Sequence, residues 1–284
     1  MLRTCAKTSE KRSPLHHREI KRLPGQGLWE SFFNERLAPI AIWSGMAMGI
    51  LVSVVFDALL RLIKHEAFGW HMMLLLFVGF AMAAWSTRSE IRKARLERLG
   101  LEGEIAVAQS LESLTAFGCC LFHDLQPDAV STNGVKPDGS GPNIDHVVVS
   151  RAGVFVIETK TRSKRVEGAK NAVVTFDGKR VLVDGFPPDR DPLQQARAAT
   201  ADVARYVERS TGLRTTFRPV VLFPGWFVQS VGTARESDVW VLNDNALRKW
   251  IEIEIQTSPV LDDAKVARIA ESLSARCKWR PSPV

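Results

Sequence analysis

The sequence predicts an α/β domain, in which a mixed β-sheet is flanked by helices, preceded by a hairpin of two transmembrane helices. Two long apolar runs lie between residues 39 and 85. Beyond residue 118, short runs rich in Val, Ile and Phe alternate with amphipathic helical patterns, an order typical of α/β proteins. A chain of 284 residues has room for one sizeable domain beside such a membrane segment.

Composition restricts the class of partner. The formal net charge of +7 favours an anionic partner, either nucleic acid or lipid headgroups. Four cysteines occur, without a CxxC motif or a histidine at zinc-like spacing. This pattern argues against a disulfide framework and against a structural zinc site, and it fits a reducing compartment.

The N-terminal region divides into a polar tail and two apolar spans. Residues 1–36 carry eight Lys or Arg and few apolar side chains, so we expect a basic, mostly disordered tail. Residues 37–86 contain the spans, at 39–60 and 67–85. As a helix, the first span reaches about 33 Å, enough to cross a hydrocarbon core of about 30 Å. The alternative, a pair of buried core helices, is disfavoured by the length of the runs and their near-absence of charge.

Basic residues predict the orientation of this hairpin in the lipid bilayer. They are concentrated before the first span and just after the second, whereas the connector carries only Arg61 and Lys64. The positive-inside rule then places both termini and the following domain in the cytoplasm, as in a multi-pass protein of the cell (inner) membrane. Gly45 and Gly49 form a GxxxG motif, which could pack against the second span or against a second copy in a homo-oligomer.

The chain leaves the second span in a helical pattern over residues 86–117. We expect residues 87–100 to form a helical linker, with Gly100 and Gly103 as a break or kink before the soluble domain. A strand is predicted over residues 119–125, followed by a loop rich in Pro, Gly, Ser and Asp.

The central feature of the soluble domain is a predicted β-hairpin over residues 144–160. The runs 144–149 and 154–160 are rich in Val, Ile and Phe, which favours strands. The four residues between them include Gly153 and have the length of a hairpin turn.

The register of this hairpin gathers charged side chains at one end. If Arg151 and Ala152 form a two-residue loop, Asp145 lies directly opposite Glu158, with Cβ atoms about 5 Å apart. Lys160 follows Glu158 by two positions and points to the same face of the strand. His146 alternates to the face opposite Asp145, which favours a packed histidine over a catalytic base.

Two interpretations fit this end of the hairpin. Opposed, partly buried carboxylates repel each other and are unfavourable unless they are paired or bind a metal. A divalent cation, Mg²⁺ or Mn²⁺, would resolve the conflict because it prefers hard oxygen ligands, and Lys160 could then hold a phosphate oxygen. The alternative is a surface hairpin in which Lys160 simply neutralises two acids, and a one-residue bulge would break the register.

The remaining elements continue the α/β order. Asp191 and Pro192 predict the start of a helix that ends at Gly212, with Asp191 as its N-cap. The other patterns predict a second hairpin (172–176 and 180–183), strands at 217–223 and 239–242, and helices at 246–253 and 262–278. We expect residues 231–284 to pack on the domain.

These motifs resemble the nuclease-related domain, NERD, of the PD-(D/E)XK nuclease superfamily, over a domain placed at residues 101–230. An Asp followed across a hairpin by Glu-x-Lys is the pattern of the superfamily, and the string IDHVVVSRAGVFVIETK is specific. The matching residues are Gly103-Glu104, residues 144–160, Asp191-Pro192-Leu193-Gln194-Gln195 and residues 218–223. Asp191 stands where the family commonly has Asn.

The resemblance implies a restriction-endonuclease-like fold and a membrane-anchored, Mg²⁺-dependent nuclease that hydrolyses phosphodiester bonds of nucleic acid, with DNA as substrate. It implies metal ligation by Asp145, Glu158 and the Thr159 carbonyl, with Glu104 assisting. Lys160 would orient or activate a water or stabilise developing charge, and Gln195 would shape the site. The alternative is a catalytically silent module that binds nucleic acid or protein on the same fold.

Overall fold

The computed structural model describes residues 26–64, 70–126, 143–162 and 173–277. Residues 1–25, which form most of the predicted tail, lie outside this range, as do most of the two loops that flank the central hairpin. The five helices are α1 (Gln26–Lys64), α2 (Trp70–Glu112), α3 (Pro192–Thr211), α4 (Asp244–Thr257) and α5 (Asp263–Ser274). The eight strands are β1 (Cys120–Leu125), β2 (Ile144–Ser150), β3 (Gly153–Thr159), β4 (Val173–Phe176), β5 (Val181–Val183), β6 (Phe217–Leu222), β7 (Phe227–Ser230) and β8 (Trp240–Leu242).

The first two helices are longer than the sequence predicts. Helix α1 begins at Gln26, inside the stretch predicted as a disordered tail. Helix α2 joins the second apolar run, the predicted linker at 87–100 and the start of the domain in one element, which passes through Gly100 and Gly103. Ion pairs stabilise α2 locally in its charged stretch, where Lys93 pairs with Glu90 at 2.8 Å and Arg98 pairs with Glu102 at 2.8 Å. The partners are three and four residues apart, the spacings at which ion pairs stabilise a helix.

One helix in the described part of the chain is long and apolar enough to cross a membrane, over Ala41–Lys64. Its side chains are almost all exposed, and only 6% of that window is buried by the rest of the protein. Asp57 within it pairs with Arg61 at 2.7 Å. The predicted two-helix transmembrane hairpin is therefore not confirmed, since no second helix among the described residues, which resume at Trp70, meets the same criterion.

Helices α1 and α2 contact each other through a glycine outside the GxxxG motif. A Cβ at Gly79 of α2 would lie 3.3 Å from the side chain of Ile50 in α1, so this glycine lets the helices approach. The Cβ positions of Gly45 and Gly49 meet no described atom within 4 Å. Among the described residues, the GxxxG motif thus forms no close contact between α1 and α2.

The predicted mixed sheet is present, with its strands in the order β1-β2-β3-β6-β8. Strands β1, β2 and β3 pair antiparallel, and β6 and β8 continue the sheet in parallel. A second, three-stranded sheet has the order β5-β4-β7. The hairpin β4–β5 was predicted, whereas β7 was not, because its sequence FVQS is short and mostly exposed.

Helices cover both faces of the five-stranded sheet. Alternate residues of the central hairpin separate onto two faces, as the period of two requires. One face packs against α3 and α5 through Val147, Val149, Val154, Val156, Val203, Val207, Ile269 and Leu273. The other packs against α2 and α4 through Val148, Phe155, Ile157, Val107, Leu111, Leu247 and Ile251. The central strands are buried on both faces, which explains their nearly continuous apolar sequences.

Arg276 holds the C-terminal segment against the edge of the sheet through an ion pair and a hydrogen bond. Arg276 is buried and pairs with Asp202 of α3 at 2.6 Å. Its Nε donates a hydrogen bond of 2.8 Å to the carbonyl of Gln126, just after β1. Helix α5, predicted over 262–278, begins at Asp263 with Asp262 as its N-cap and ends at Ser274.

Candidate active site

Strands β2 and β3 form the predicted hairpin in the predicted register. The antiparallel pairs run from Ser150 opposite Gly153 to His146 opposite Ile157. Asp145 and Glu158 are the next residues along the two strands, where the ladder ends. The hairpin thereby brings Asp145, Glu158 and the following Lys160 to one end of the sheet.

Asp145 accepts a hydrogen bond from the backbone of β3. The Thr159 N–H donates to Oδ2 of Asp145 over 2.6 Å. The pKa of Asp145 is nevertheless raised well above its usual 3.8, because its carboxylate is removed from water and faces the negative charges of Glu158 and Glu104. The Thr159 hydrogen bond and the charge of Lys160 oppose this rise. A carboxyl group whose ionisation is resisted in this way is a candidate for a functional role.

Lys160 and Glu158 form an ion pair. The Lys160 ammonium donates to Oε1 of Glu158 at 2.6 Å, and the two side chains are 27% and 16% exposed. The backbone N–H of Lys160 donates to the carbonyl of Leu222 at 2.8 Å, which extends the pairing of β3 with the parallel strand β6. The ammonium is therefore held beside both carboxylates while solvent still reaches it.

Helix α2 positions Glu104 near Asp145. A Cβ at Gly103 would lie 1.9 Å from Oγ1 of Thr161, so the helix backbone can lie against the chain just after Lys160 only because position 103 is glycine. Glu104 follows immediately, and its charge acts on Asp145. Because α2 begins at Trp70, Glu104 lies in the interior of the helix and is not an acid of the first turn, where the helix dipole acts.

Gln195 lies in the first turn of α3, as predicted. Asp191 caps this helix by accepting a hydrogen bond from the Leu193 N–H at 2.9 Å, and Gly212 ends it. The Oε1 atom of Gln195 is buried without a hydrogen-bond partner among the described residues, and so is Oγ1 of Thr159. No hydrogen bond in this part of the chain joins Gln195 to Glu158 or Lys160. Buried acceptors of this kind ordinarily have a water or ligand partner.

The described side chains do not form a ready-made metal cage. In the described ranges, no group of three or more His, Cys, Asp or Glu side chains is close enough together to hold a metal ion. In the structure, Glu158 accepts a hydrogen bond from the Lys160 ammonium and Asp145 accepts one from the Thr159 N–H. The hard oxygen donors of two carboxylates still fit Mg²⁺, which commonly uses one or two carboxylates together with waters and phosphate oxygens.

His146 is packed in the interior, as its alternation in the strand predicts. The residue is fully buried, and its Nδ1 lies 2.8 Å from Nδ1 of His123 in β1. Burial, and secondarily the neighbouring His123, lowers the pKa of His146 to about 3. A histidine held neutral in this way supports the core and is not placed to take a proton from solvent.

Two residues near the site were missed by the sequence reasoning. Gly103 was assigned to a kink, although its role is the close approach to Thr161. Asp124 lies between two residues of β1 that pair with His146 and Ile144, so it is level with Asp145 on the neighbouring strand. Its φ of 51° is left-handed and it accepts a hydrogen bond from Asn143 at 2.7 Å. The pattern of strand residues gave no signal for this local irregularity.

Comparison with protein families identifies the domain that holds this cluster. The model of the nuclease-related domain, NERD, matches residues 99–224, which contain all six predicted site residues. The predicted resemblance to this family is confirmed over that range, and the mixed α/β fold is consistent with it. Comparisons with curated proteins and with solved structures find no match.

Proposed function

We propose that this protein is a membrane-anchored, metal-dependent nuclease that hydrolyses phosphodiester bonds of nucleic acid, with DNA as the substrate, at the cytoplasmic face of the cell membrane. The observation that carries the proposal is the pair of carboxylates, Asp145 and Glu158, at one end of the hairpin, with Lys160 paired to Glu158 and the charge of Glu104 acting on Asp145, within a nuclease-related domain. Two opposed, partly buried carboxylates are costly without a cationic ligand.

The roles of the side chains follow from their contacts. Asp145 and Glu158 are the proposed metal ligands, together with the backbone carbonyl of Thr159, and Glu104 assists in positioning. The hydrogen bond from the Thr159 N–H fixes the Asp145 carboxylate relative to β3. A bound Mg²⁺ or Mn²⁺ would supply a water of lowered pKa and polarise the scissile phosphate.

Lys160 is the proposed residue that meets the reacting phosphate. In the structure its ammonium is held by Glu158 and remains partly exposed. A cation bound by Glu158 would replace this ion pair, and the Lys160 ammonium would then be available to orient the attacking water or to stabilise charge that develops on the phosphate. Gln195, with its unpartnered Oε1 atom, would shape the wall of the site from the first turn of α3.

The anchor is proposed to be a two-helix hairpin. Ala41–Lys64 meets the length and composition of a span, and the start of α2 exposes Leu74, Phe77, Val78, Phe80 and Met82. Exposed apolar side chains in such number are unfavourable in water and favourable in lipid. The basic residues after the second run then lie in the cytoplasm, where the domain meets nucleic acid. The GxxxG motif of Gly45 and Gly49 would pack against a second copy of the chain.

The test is cleavage by the purified full chain. We expect it to degrade DNA in the presence of Mg²⁺ and to be inactive with EDTA. Glu158→Gln and Lys160→Ala should each reduce cleavage by at least about 100-fold, because each removes a charge that acts on the reacting group. Supercoiled, linear and single-stranded DNA and RNA, tested in parallel, identify the preferred substrate.

A matched control separates the site from general loss of charge. Glu208 pairs with Arg214 at 2.5 Å on an exposed surface of the domain, so Glu208→Gln removes the same carboxylate chemistry elsewhere and should leave cleavage unchanged. Full Mg²⁺-dependent activity in purified Glu158→Gln protein would refute the assignment of the site.

A second function is favoured by one observation. The absence of a three-ligand group in the described residues is what a catalytically silent module that binds nucleic acid or protein would show. Calorimetric titration with Mn²⁺ distinguishes the two. The nuclease requires metal binding that is lost in Asp145→Asn and Glu158→Gln, and the silent module requires none.

A further inference from the structure

A cavity of about 1010 Å³ separates α1 from α2, far along the chain from the proposed active site. Its volume is at the upper end of the range that small-molecule sites occupy, about 300 to 1,000 Å³. The wall along the two helices is mostly apolar, with Trp43, Leu51 and Phe80 among its residues, and its far end is lined by Arg88, Arg92 and Arg95. An apolar channel that ends in positive charge is complementary to a lipid with an apolar chain and an anionic headgroup.

The three arginines form one stripe of α2. Their spacing of four and three residues places them on the same face of a helix, and all three are exposed. In the described ranges their guanidinium groups make no hydrogen bond or ion pair, in contrast to Lys93 and Arg98 on the same helix, which pair with Glu90 and Glu102. None of the described residues that line the cavity is acidic. Among the described residues, therefore, no acidic side chain in the lining neutralises the positive charge that the stripe presents to the cavity.

The stripe begins at the height of the headgroup layer. Trp85 and Trp43 are the aromatic residues nearest this end of the two apolar runs, as in the aromatic belt at a membrane surface. At ~1.5 Å per residue, Arg88 lies about 4.5 Å and Arg92 about 10 Å beyond Trp85 along the helix. The headgroup region of one leaflet extends roughly 5 to 8 Å beyond the hydrocarbon. A second, smaller groove joins Trp85 to Arg88 and Arg92, so the aromatic and basic side chains are adjacent.

We propose that the cavity between α1 and α2 binds an anionic phospholipid of the cytoplasmic leaflet, whose phosphate meets Arg88, Arg92 and Arg95 and whose acyl chain lies along the apolar wall. Guanidinium groups bind phosphate through paired, charge-assisted hydrogen bonds, and basic pockets between membrane helices are a known type of lipid site. A nucleic acid would satisfy the arginines but would leave the apolar wall without a partner. The inference rests on the membrane-anchoring part of the proposed function.

The test is native mass spectrometry of the full chain released from nanodiscs that contain phosphatidylcholine and phosphatidylglycerol. We expect phosphatidylglycerol to remain bound in preference to phosphatidylcholine. The double variant Arg88→Gln/Arg92→Gln should weaken the apparent affinity for phosphatidylglycerol roughly 10- to 30-fold, because each basic residue near the membrane surface strengthens binding of anionic lipid by a similar factor and two are removed. Ala84→Phe, which fills part of the cavity while keeping every charge, should also lower lipid retention.

The control pair is Lys64→Gln/Arg98→Gln, which removes the same charge at residues that do not line the cavity; we expect it to retain the lipid. An equal loss in this pair, unchanged retention in Ala84→Phe, or displacement of the lipid by soluble glycerol phosphate at comparable concentration would each overturn the proposal.

Flotation of the same protein with vesicles separates the two levels of inference. If the chain does not float, the membrane anchor and the lipid site both fail, whatever the cleavage assay shows. If it floats but retains no phosphatidylglycerol, the lipid site alone is wrong and the anchor stands.

Discussion

Asp145 and His146 are neighbours in one strand, and burial shifts their pKa values in opposite directions. The pKa of Asp145 is raised, because its ionised form loses water and meets other carboxylates. The pKa of His146 is lowered, because its ionised form would be buried beside His123. Burial therefore keeps both groups closer to neutral, and the two residues make opposite contributions to the dependence of stability on pH.

The stability contributed by His146 should be lost in acid. Its pKa is about 3 in the folded protein and about 6.5 when unfolded, so the unfolded chain binds the additional proton between these values. The contribution is complete above about pH 6.5 and disappears as the pH falls toward 3. We expect the melting temperature of the wild-type protein to fall more steeply over this range than that of His146→Phe, which cannot take up the proton.

The measurement is thermal unfolding of both proteins at steps between about pH 7 and about pH 4. The difference between the two curves isolates His146 from Asp145, which contributes in the opposite direction in both proteins. Parallel curves would contradict the assignment of a neutral, buried imidazole.

At the scale of elements, the site depends on how α2 meets the end of β3. Gly103 is the contact point, and Thr161 is the residue it meets. An Ala in place of Gly within a helix ordinarily gains about 1 kcal/mol, whereas overpacking a well-filled contact costs about 1 to 3 kcal/mol. Rotation of Thr161 does not relieve the contact, because its Cβ and Cγ2 are also only 3.0 Å away.

We therefore expect Gly103→Ala to destabilise the protein by about 1 to 2 kcal/mol and to reduce cleavage, because it displaces Glu104 from the acidic cluster. Thr161→Ala removes the clashing hydroxyl and should restore part of both losses in the double variant. The measurement is a double-mutant cycle on denaturant unfolding and on cleavage rate. Additive effects of the two substitutions would show that the two residues do not act through this contact.

At the scale of the whole molecule, the number of spans decides where the domain lies. Helix α1 alone would place the two termini on opposite sides of the membrane, whereas the hairpin of α1 and α2 would place both in the cytoplasm. The unbroken α2 links the second apolar run to Glu104, so in the proposed two-helix anchor the depth of that run in the bilayer would also fix the distance of the candidate site from its surface.

We expect epitope tags at the two termini to be digested together, by protease added to inside-out membrane vesicles, and to be protected together in right-side-out vesicles. The physical reason is the concentration of Lys and Arg on both flanks of the hairpin. Digestion of one tag in each type of vesicle would indicate a single span through Ala41–Lys64 and would contradict the two-helix anchor.

Local patterns were sufficient for the sheet and the register of the hairpin. The apolar runs, the turn at Gly153 and the strict alternation of strands determine which residues pair, so Asp145, Glu158 and Lys160 could be brought to one end without a structure. The N-cap Asp191 likewise followed from short-range hydrogen bonding. The family resemblance, confirmed for residues 99–224, depended on the same local strings.

Only the tertiary structure decided what the sequence left open. The contact of Gly103 with Thr161 and the addition of β7 to a second sheet both depend on residues far apart in the chain. The cavity between α1 and α2, with its stripe of arginines, arises in the same way. Propensity and periodicity act over a few residues, whereas these features depend on which surfaces meet when the helices and sheets pack.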